Sequence, residues 1–187
     1  MKKLGLAVCG SFCTFDDLLP AAEALAQEYE LIPILSPAAY GTDTRFGMAA
    51  AFVKSLRELC GCEPLTTIEA VEPLGPRKPL DALVVAPCTG NTLGKLSAGI
   101  ADTAVTFAVK AHLRNQRPVI LAVSTNDGLA ASAANIGALL NRKQYYFVPF
   151  GQDDPVGKPA SLKADLHRLP ETVAAALEGR QLQPILL

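Results

Sequence analysis

Tryptophan is absent from this chain, and aromatic residues make up only 6% of it, although half of its residues are hydrophobic. The apolar mass is therefore Ala, Leu and Val, small and branched side chains suited to a parallel sheet covered by helices. Charge of one sign is lacking too. The chain has 17 basic and 18 acidic residues and no block of like charge, which excludes the electrostatic footprint of a nucleic-acid binder. No apolar run approaches the roughly 20 residues that span a bilayer. Met1-Lys-Lys3 resembles the start of an export signal, but the apolar stretch after it, residues 4–8, is too short and runs into a strand-to-loop pattern. The expected location is the cytoplasm.

Histidine is scarce as well. His112 and His167 are the only two, and both lie far in sequence from the five cysteines Cys9, Cys13, Cys60, Cys62 and Cys88. None of these spacings makes a zinc set, so no metal site is expected. The thiols read as small apolar side chains in reduced form. Cys9, Cys13 and Cys88 fall near strand ends, which leaves open a role beside a bound ligand. Neither a Gly-x-Gly-x-x-Gly fingerprint nor a Walker sequence occurs, which disfavours NAD(P) or ATP bound by this chain itself.

What is present is alternation. The 187 residues suit one domain, 1–187, with a substantial core. Apolar strands are expected at 4–8, 31–35, 82–86, 119–123 and 145–150, with Pro87 stopping the third because proline has no N–H for the ladder. Helical spacing covers 18–29 after a start at Thr14, then 45–60, the segment after Asn91, 103–114, 129–140 and 162–177. Residues 38–44 read as loop, and 64–79 as irregular with a short strand near Ile68. The apolar tail 181–187 reads as a segment that docks on a neighbour. Strands alternating with helices imply right-handed crossovers and an α/β fold with a parallel sheet.

In such a sheet the loops at the carboxyl ends of the strands gather along one rim, where helices leave their first N–H groups unpaired and their dipoles positive. Four loops fall there: Gly10-Ser-Phe-Cys-Thr14, Ser36-Pro37, Thr89-Gly-Asn-Thr92 and Ser124-Thr-Asn-Asp127. Each is rich in hydroxyl and amide side chains, which suit phosphate oxygens and the polar edge of a nucleotide or flavin. Taken singly, each also reads as a helix cap.

These residues carry a resemblance. Ala86-Pro-Cys-Thr-Gly-Asn-Thr92, continued by Lys95 and Gly99-Ile-Ala-Asp102, resembles the cofactor motif of the flavin-mononucleotide-binding, cysteine-decarboxylase-like flavoproteins. More narrowly, Thr44-Arg-Phe-Gly47, Pro73-Leu-Gly-Pro76, Val123-Ser-Thr-Asn-Asp127, Tyr146-Phe-Val-Pro-Phe-Gly-Gln-Asp153 and Gly179-Arg-Gln-Leu-Gln-Pro184 resemble the family of dipicolinate synthase B subunits of endospore-forming bacteria. The resemblance runs over essentially the whole chain. It implies an α/β three-layer sandwich, Rossmann-like or flavodoxin-like, and an oligomer with FMN near a subunit contact, phosphate held by Gly10, Ser11 and Ser36, and ribityl and ring approached by Thr89, Gly90, Asn91 and Thr92. It also implies a ring edge met by Ser124, Thr125 and Asn126. The implied reaction is oxidation of a dihydrodipicolinate-type dicarboxylate to dipicolinate during sporulation, with a partner A subunit that supplies NADP. Asn126 and Arg45 are the implied catalytic residues.

Departures from the wider superfamily are specific. Decarboxylating relatives have a catalytic histidine after the second strand, and residues 36–45 contain none; they also have a Pro-x-Met-Asn block where this chain has Ser124-Thr-Asn-Asp127. Both differences count against a stand-alone decarboxylase or prenyltransferase, while a non-catalytic flavin-binding partner stays open. Asp43 stands where the synthase pattern has Asn, an unhelpful carboxylate if that loop receives a diacid. Arg45 reads either as a two-pronged carboxylate clamp or as a surface arginine. Lys110 and Arg114, four apart, share a helix face that is either solvated or turned to a diacid. His112 reads as a hydrogen-bonded core residue, His167 as lying away from the loops, and Asp127 either as a base or orienting group or, more simply, as a cap for a helix starting at Gly128.

Overall fold

The computed structural model describes residues 1–77 and 79–187. Its centre is a mostly parallel seven-stranded sheet: β1 (Lys2–Val8), β2 (Tyr29–Leu35), β3 (Ala82–Cys88), β4 (Val119–Thr125), β5 (Tyr145–Phe147), β6 (Phe150–Gly151) and β7 (Leu162–Ala164). The parallel strands run in the order β2-β1-β3-β4-β5, the flavodoxin-like order. β4 outruns β5 and, at Ser124 and Thr125, pairs antiparallel with β7, which in turn pairs antiparallel with β6. The expected all-parallel sheet therefore has an antiparallel extension.

The helices are α1 (Phe15–Ala26), α2 (Pro37–Gly41), α3 (Ala49–Cys60), α4 (Ile68–Val71), α5 (Leu74–Arg77), α6 (Gly90–Ala98), α7 (Ala104–Leu113), α8 (Ala133–Leu140) and α9 (Leu169–Leu177). α1 and α9 pack together against the strands, while α7, backed by α4, α5 and α6, forms a second layer. The third and fourth strands are apolar along almost their whole length because helices cover both faces; Leu83, Val84, Val85, Ile120 and Leu121 are wholly buried. Gly5 in β1 allows close packing: a Cβ there would lie 2.4 Å from Leu83 Cδ1 and 2.9 Å from Leu80 Cδ1, so those leucines would have to shift.

Several boundaries differ from the sequence reading. Pro87 does not end the third strand. The β3–β4 register shifts between Val85 and Cys88, so the proline's missing N–H interrupts nothing, and its carbonyl accepts from Cys9 N–H at 3.2 Å. Tyr29 begins β2 rather than ending the first helix. Residues expected as loop form α2, started by Ser36, whose Oγ accepts from Ala39 N–H at 3.2 Å. Residues 45–48 are a turn, not the first helical residues, and α8 starts four residues later than expected. Ile68 opens a short helix, and the strand-like contact nearby is a bridge between Leu65 and Ile34; Lys78, within the 64–79 reading, lies outside the described residues. Residues 162–164, expected as helix, are β7. The tail docks on its own chain: Phe150 N–H donates to Ile185 O, and Leu187 N–H to Phe150 O. Among the described residues no helix is long and apolar enough to cross a membrane.

Candidate functional site at the carboxyl rim

The strand order reverses direction between β1 and β3, and the crevice at the carboxyl ends of those strands is where open α/β sheets bind ligands. Two cavities lie there. The first, of about 510 Å³, is lined by Ser11, Thr89, Ser124, Thr125 and Asn126 among others; the second, of about 410 Å³, by Ser36, Asn91, Thr92 and Lys95. Gly10 and Thr89 line both, so the cavities adjoin.

A triangle of hydroxyls sits at the first cavity. Ser11 Oγ is 2.8 Å from Ser124 Oγ, Thr14 Oγ1 is 2.9 Å from Ser124 Oγ, and Ser11 and Thr14 are 3.1 Å apart. Thr14 and Ser124 are buried and Ser11 half-buried. Helix α6 opens the second cavity. Thr89 caps it by accepting from Thr92 N–H, and Thr92 Oγ1 donates to Cys9 Sγ at 3.2 Å. Gly90 lines neither cavity. Its backbone lies so close to the fourth-strand loop that a Cβ would stand 2.6 Å from Thr125 Oγ1 and 2.8 Å from Asp127 Oδ1.

Cations ring the site, each with a carboxylate beside it: Lys95 with Asp102 at 2.9 Å, Lys163 with Asp17 at 2.7 Å and Lys158 with Asp153 at 3.3 Å. The bond to Asp17 pushes the Lys163 ammonium up, and hydrogen bonding from Ser161, then Lys158, holds Asp153 below the usual carboxylate range. The site therefore offers neutral donors and paired charges rather than a net charge. Burial pushes the Cys9 thiol up to about 11 and that of Cys88 well above its ordinary value. Cys13 is exposed and lines the first cavity. Among the described residues no three metal-ligating side chains gather.

Of the sequence-predicted residues, all but Gly90 and Arg45 line one of the two cavities. Arg45 lies exposed in the turn before α3, its guanidinium 4.8 Å from the centroid of the Phe46 ring, which itself lines the first cavity. Asp43 is not among the described residues lining either cavity; its Oδ1 accepts from Ala49 N–H at 2.8 Å and so starts α3. Asp127 caps no helix at Gly128. It accepts from Thr125 Oγ1 and Ser132, which hold its carboxyl below the usual range and fix the fourth loop. His112 is buried with Nε2 3.1 Å from Pro118 O. His167 is exposed in a 3₁₀ turn, and no histidine is among the described residues lining either cavity. Lys158, Ser161 and Lys163 were missed: they come from the β7 region, read as loop and helix, with no motif of its own.

Comparison with known proteins agrees over the full length. The flavoprotein family model matches residues 2–156. The dipicolinate synthase B subunit of Bacillus subtilis (strain 168) is 44% identical over 187 residues, all of this chain and 94% of that protein. The crystal structure of the dipicolinate synthase B subunit from Bacillus halodurans C superposes with a TM-score of 0.91 at 39% identity, covering 100% of this chain and 96% of that one. That of the FMN-dependent cysteine decarboxylase TvaF from thioviridamide biosynthesis gives 0.57 at 30% identity, over 75% and 85%. The chain belongs to the flavoprotein family, and within it to the relatives of the dipicolinate synthase B subunit.

Proposed function

We propose that this chain is the B subunit of a dipicolinate synthase, that it binds FMN at the carboxyl rim, and that it works with an A subunit carrying NADP. The 44% identity that runs the full length of the relative carries the reading. The donor set fits the cofactor. Two adjoining cavities of about 510 and 410 Å³ offer hydroxyl and amide donors, and ligand pockets span about 300–1,000 Å³.

Gly10, Ser11 and Ser36 would hold the phosphate, with Thr89, Asn91 and Thr92 along the ribityl chain and Ser124, Thr125 and Asn126 at the ring edge. Gly90, lining neither cavity, would serve by letting α6 approach the fourth loop. A bound flavin supplies a two-electron acceptor beside the substrate. Dihydrodipicolinate would become aromatic by losing a hydride and a proton; NADP held by the partner chain would supply the final hydride acceptor, and the proton would pass to solvent. The residues' task is then to orient a planar diacid and keep it there. Arg45 suits one carboxylate through two parallel N–H bonds, and Asn126 orients the ring. The absence of histidine among the described cavity linings counts against a lone decarboxylase.

The test is turnover of dihydrodipicolinate by the two subunits together, with Arg45→Ala and Asn91→Ala variants of this chain. Both variants are expected to lower the rate at least about tenfold, a loss of about 1.4 kcal/mol of transition-state stabilisation. Unchanged rates in both, or a partner chain that alone matches the pair, would overturn the assignment.

A further inference from the structure

At the opposite end of the sheet, where β4 and β5 begin, lies a third cleft of about 470 Å³ between the carboxyl-terminal ends of α6, α7 and α8. Its walls are apolar, with Leu96, Val109, Leu113 and the half-buried Tyr145, and Ile100 is exposed at its margin. Lys110, Arg142 and Lys143 line it as well, and none of the described lining residues is acidic. That imbalance contrasts with the carboxyl rim, where every lining lysine stands against an aspartate.

Helix ends account for only part of it. Arg142 donates to Leu96 O at 3.1 Å and Ser97 O at 2.7 Å, neutralising the carbonyl end of α6. The ammonium groups of Lys110 and Lys143 have no ion pair or hydrogen bond among the described residues. A second feature is independent of charge. Gln116 and Gln144 are the only non-glycine residues with positive φ among the described residues, at 56° and 69°, and both line this cleft. Glycine adopts that backbone at lower cost, and strained positions of this kind concentrate where a ligand is held. Their amides add neutral donors to the cationic margin.

We propose that this cleft binds a small carboxylate with an apolar, ring-sized body, the ring against Leu113 and Tyr145 and the carboxylate between Lys110 and Lys143. It is a site apart from the cofactor rim, at the other end of the strands, and it does not depend on the synthase reading.

The experiment is ¹⁹F line broadening of 4-fluorobenzoate by the purified full-length chain. Broadening in the millimolar range is expected for so small a ligand. Two exposed lysines are changed together in K110Q/K143Q, expected to weaken binding at least about tenfold, and Ile100→Glu sets a carboxylate at the margin and is expected to abolish it. 4-Fluorobenzyl alcohol, which keeps the ring without the charge, is expected to bind at least about tenfold more weakly. No broadening by the wild-type chain would overturn the proposal. So would equal binding of acid and alcohol, or broadening that saturating FMN removes while K110Q/K143Q leaves it intact.

Discussion

The hydroxyls of Ser11 and Ser124 meet at 2.8 Å although 113 residues separate them, one beyond the end of β1 and the other near the end of β4. Thr14 closes the triangle. Each hydroxyl has one proton to give, so three mutual bonds use all three donors. A ligand that takes a proton from one of them must displace an internal bond worth about 1 kcal/mol net. Ser124→Ala removes two bonds at once and leaves the buried Thr14 with Ser11 and a long contact to Cys13. The variant is expected to lose about 1–2 kcal/mol of stability, read by denaturant titration. Its affinity for FMN, read by quenching of flavin fluorescence, is expected to fall about tenfold. Affinity equal to wild type would remove the triangle from the cofactor site.

Two glycines of α6 should respond to alanine with opposite signs. Helical propensity favours the change by up to about 1 kcal/mol at each. At Gly94 the new Cβ meets only Asn135 Nδ2, at 3.6 Å. At Gly90 it meets Thr125 Oγ1, Ser132 Oγ and Asp127 Oδ1, all under 3 Å. Overpacking of that degree costs about 1–3 kcal/mol. Thermal melting is expected to rise for Gly94→Ala and fall for Gly90→Ala, and a rise in both would show that the α6 start can move away from the fourth loop.

How much of this was legible depended on whether an element is fixed locally or from across the fold. The apolar runs of β3 and β4 are dictated by burial on both faces, so composition alone revealed them, and with them the rim where Thr89 and Ser124 lie. Residues 162–177 misled for a physical reason: Leu162, Leu166, Leu169, Val173 and Ala176 keep helical spacing and all face the core. Only pairing with β4 turns the first three residues into a strand, and that pairing is a tertiary fact. Lys163 rides on that strand, which is why the cationic side of the first cavity was invisible. The short α2 likewise depends on Ser36 as cap, a residue that taken singly reads as a cap and that the family resemblance assigns to phosphate.

Asp43 is exposed, yet it has a defined structural task. Met48, the residue before α3, contributes no capping side chain, and the Asp43 carboxylate accepts from Ala49 N–H across the turn instead. Asp43→Ala is expected to cost about 1 kcal/mol, the usual value of a lost cap. Asp43→Asn keeps an acceptor oxygen, as would the Asn that the family pattern places there, and should melt close to wild type. Turnover by the two-subunit synthase, measured well below the melting range, is expected to be unchanged in both. A large loss of rate in Asp43→Asn with intact stability would instead place the carboxylate in the chemistry.

His112 makes stability depend on pH in a defined window. Burial pushes its imidazole down from the ordinary 6.5 to about 4, with the bond to Pro118 O acting the other way, Arg117 adding to the depression and Asp81 opposing it. Between those values the unfolded chain binds a proton that the folded chain refuses, so stability falls as pH drops from about 6.5 towards 4 and this contribution levels off below that. The span corresponds to a loss on the order of 3 kcal/mol. His112→Gln offers Pro118 an amide donor and cannot titrate. The difference between wild type and His112→Gln in unfolding free energy, followed by denaturant titration from neutral pH downwards, is expected to shift by that amount against the wild type across the window. Parallel curves would mean that the histidine is charged in the folded chain, and that its contact with Pro118 outweighs its burial.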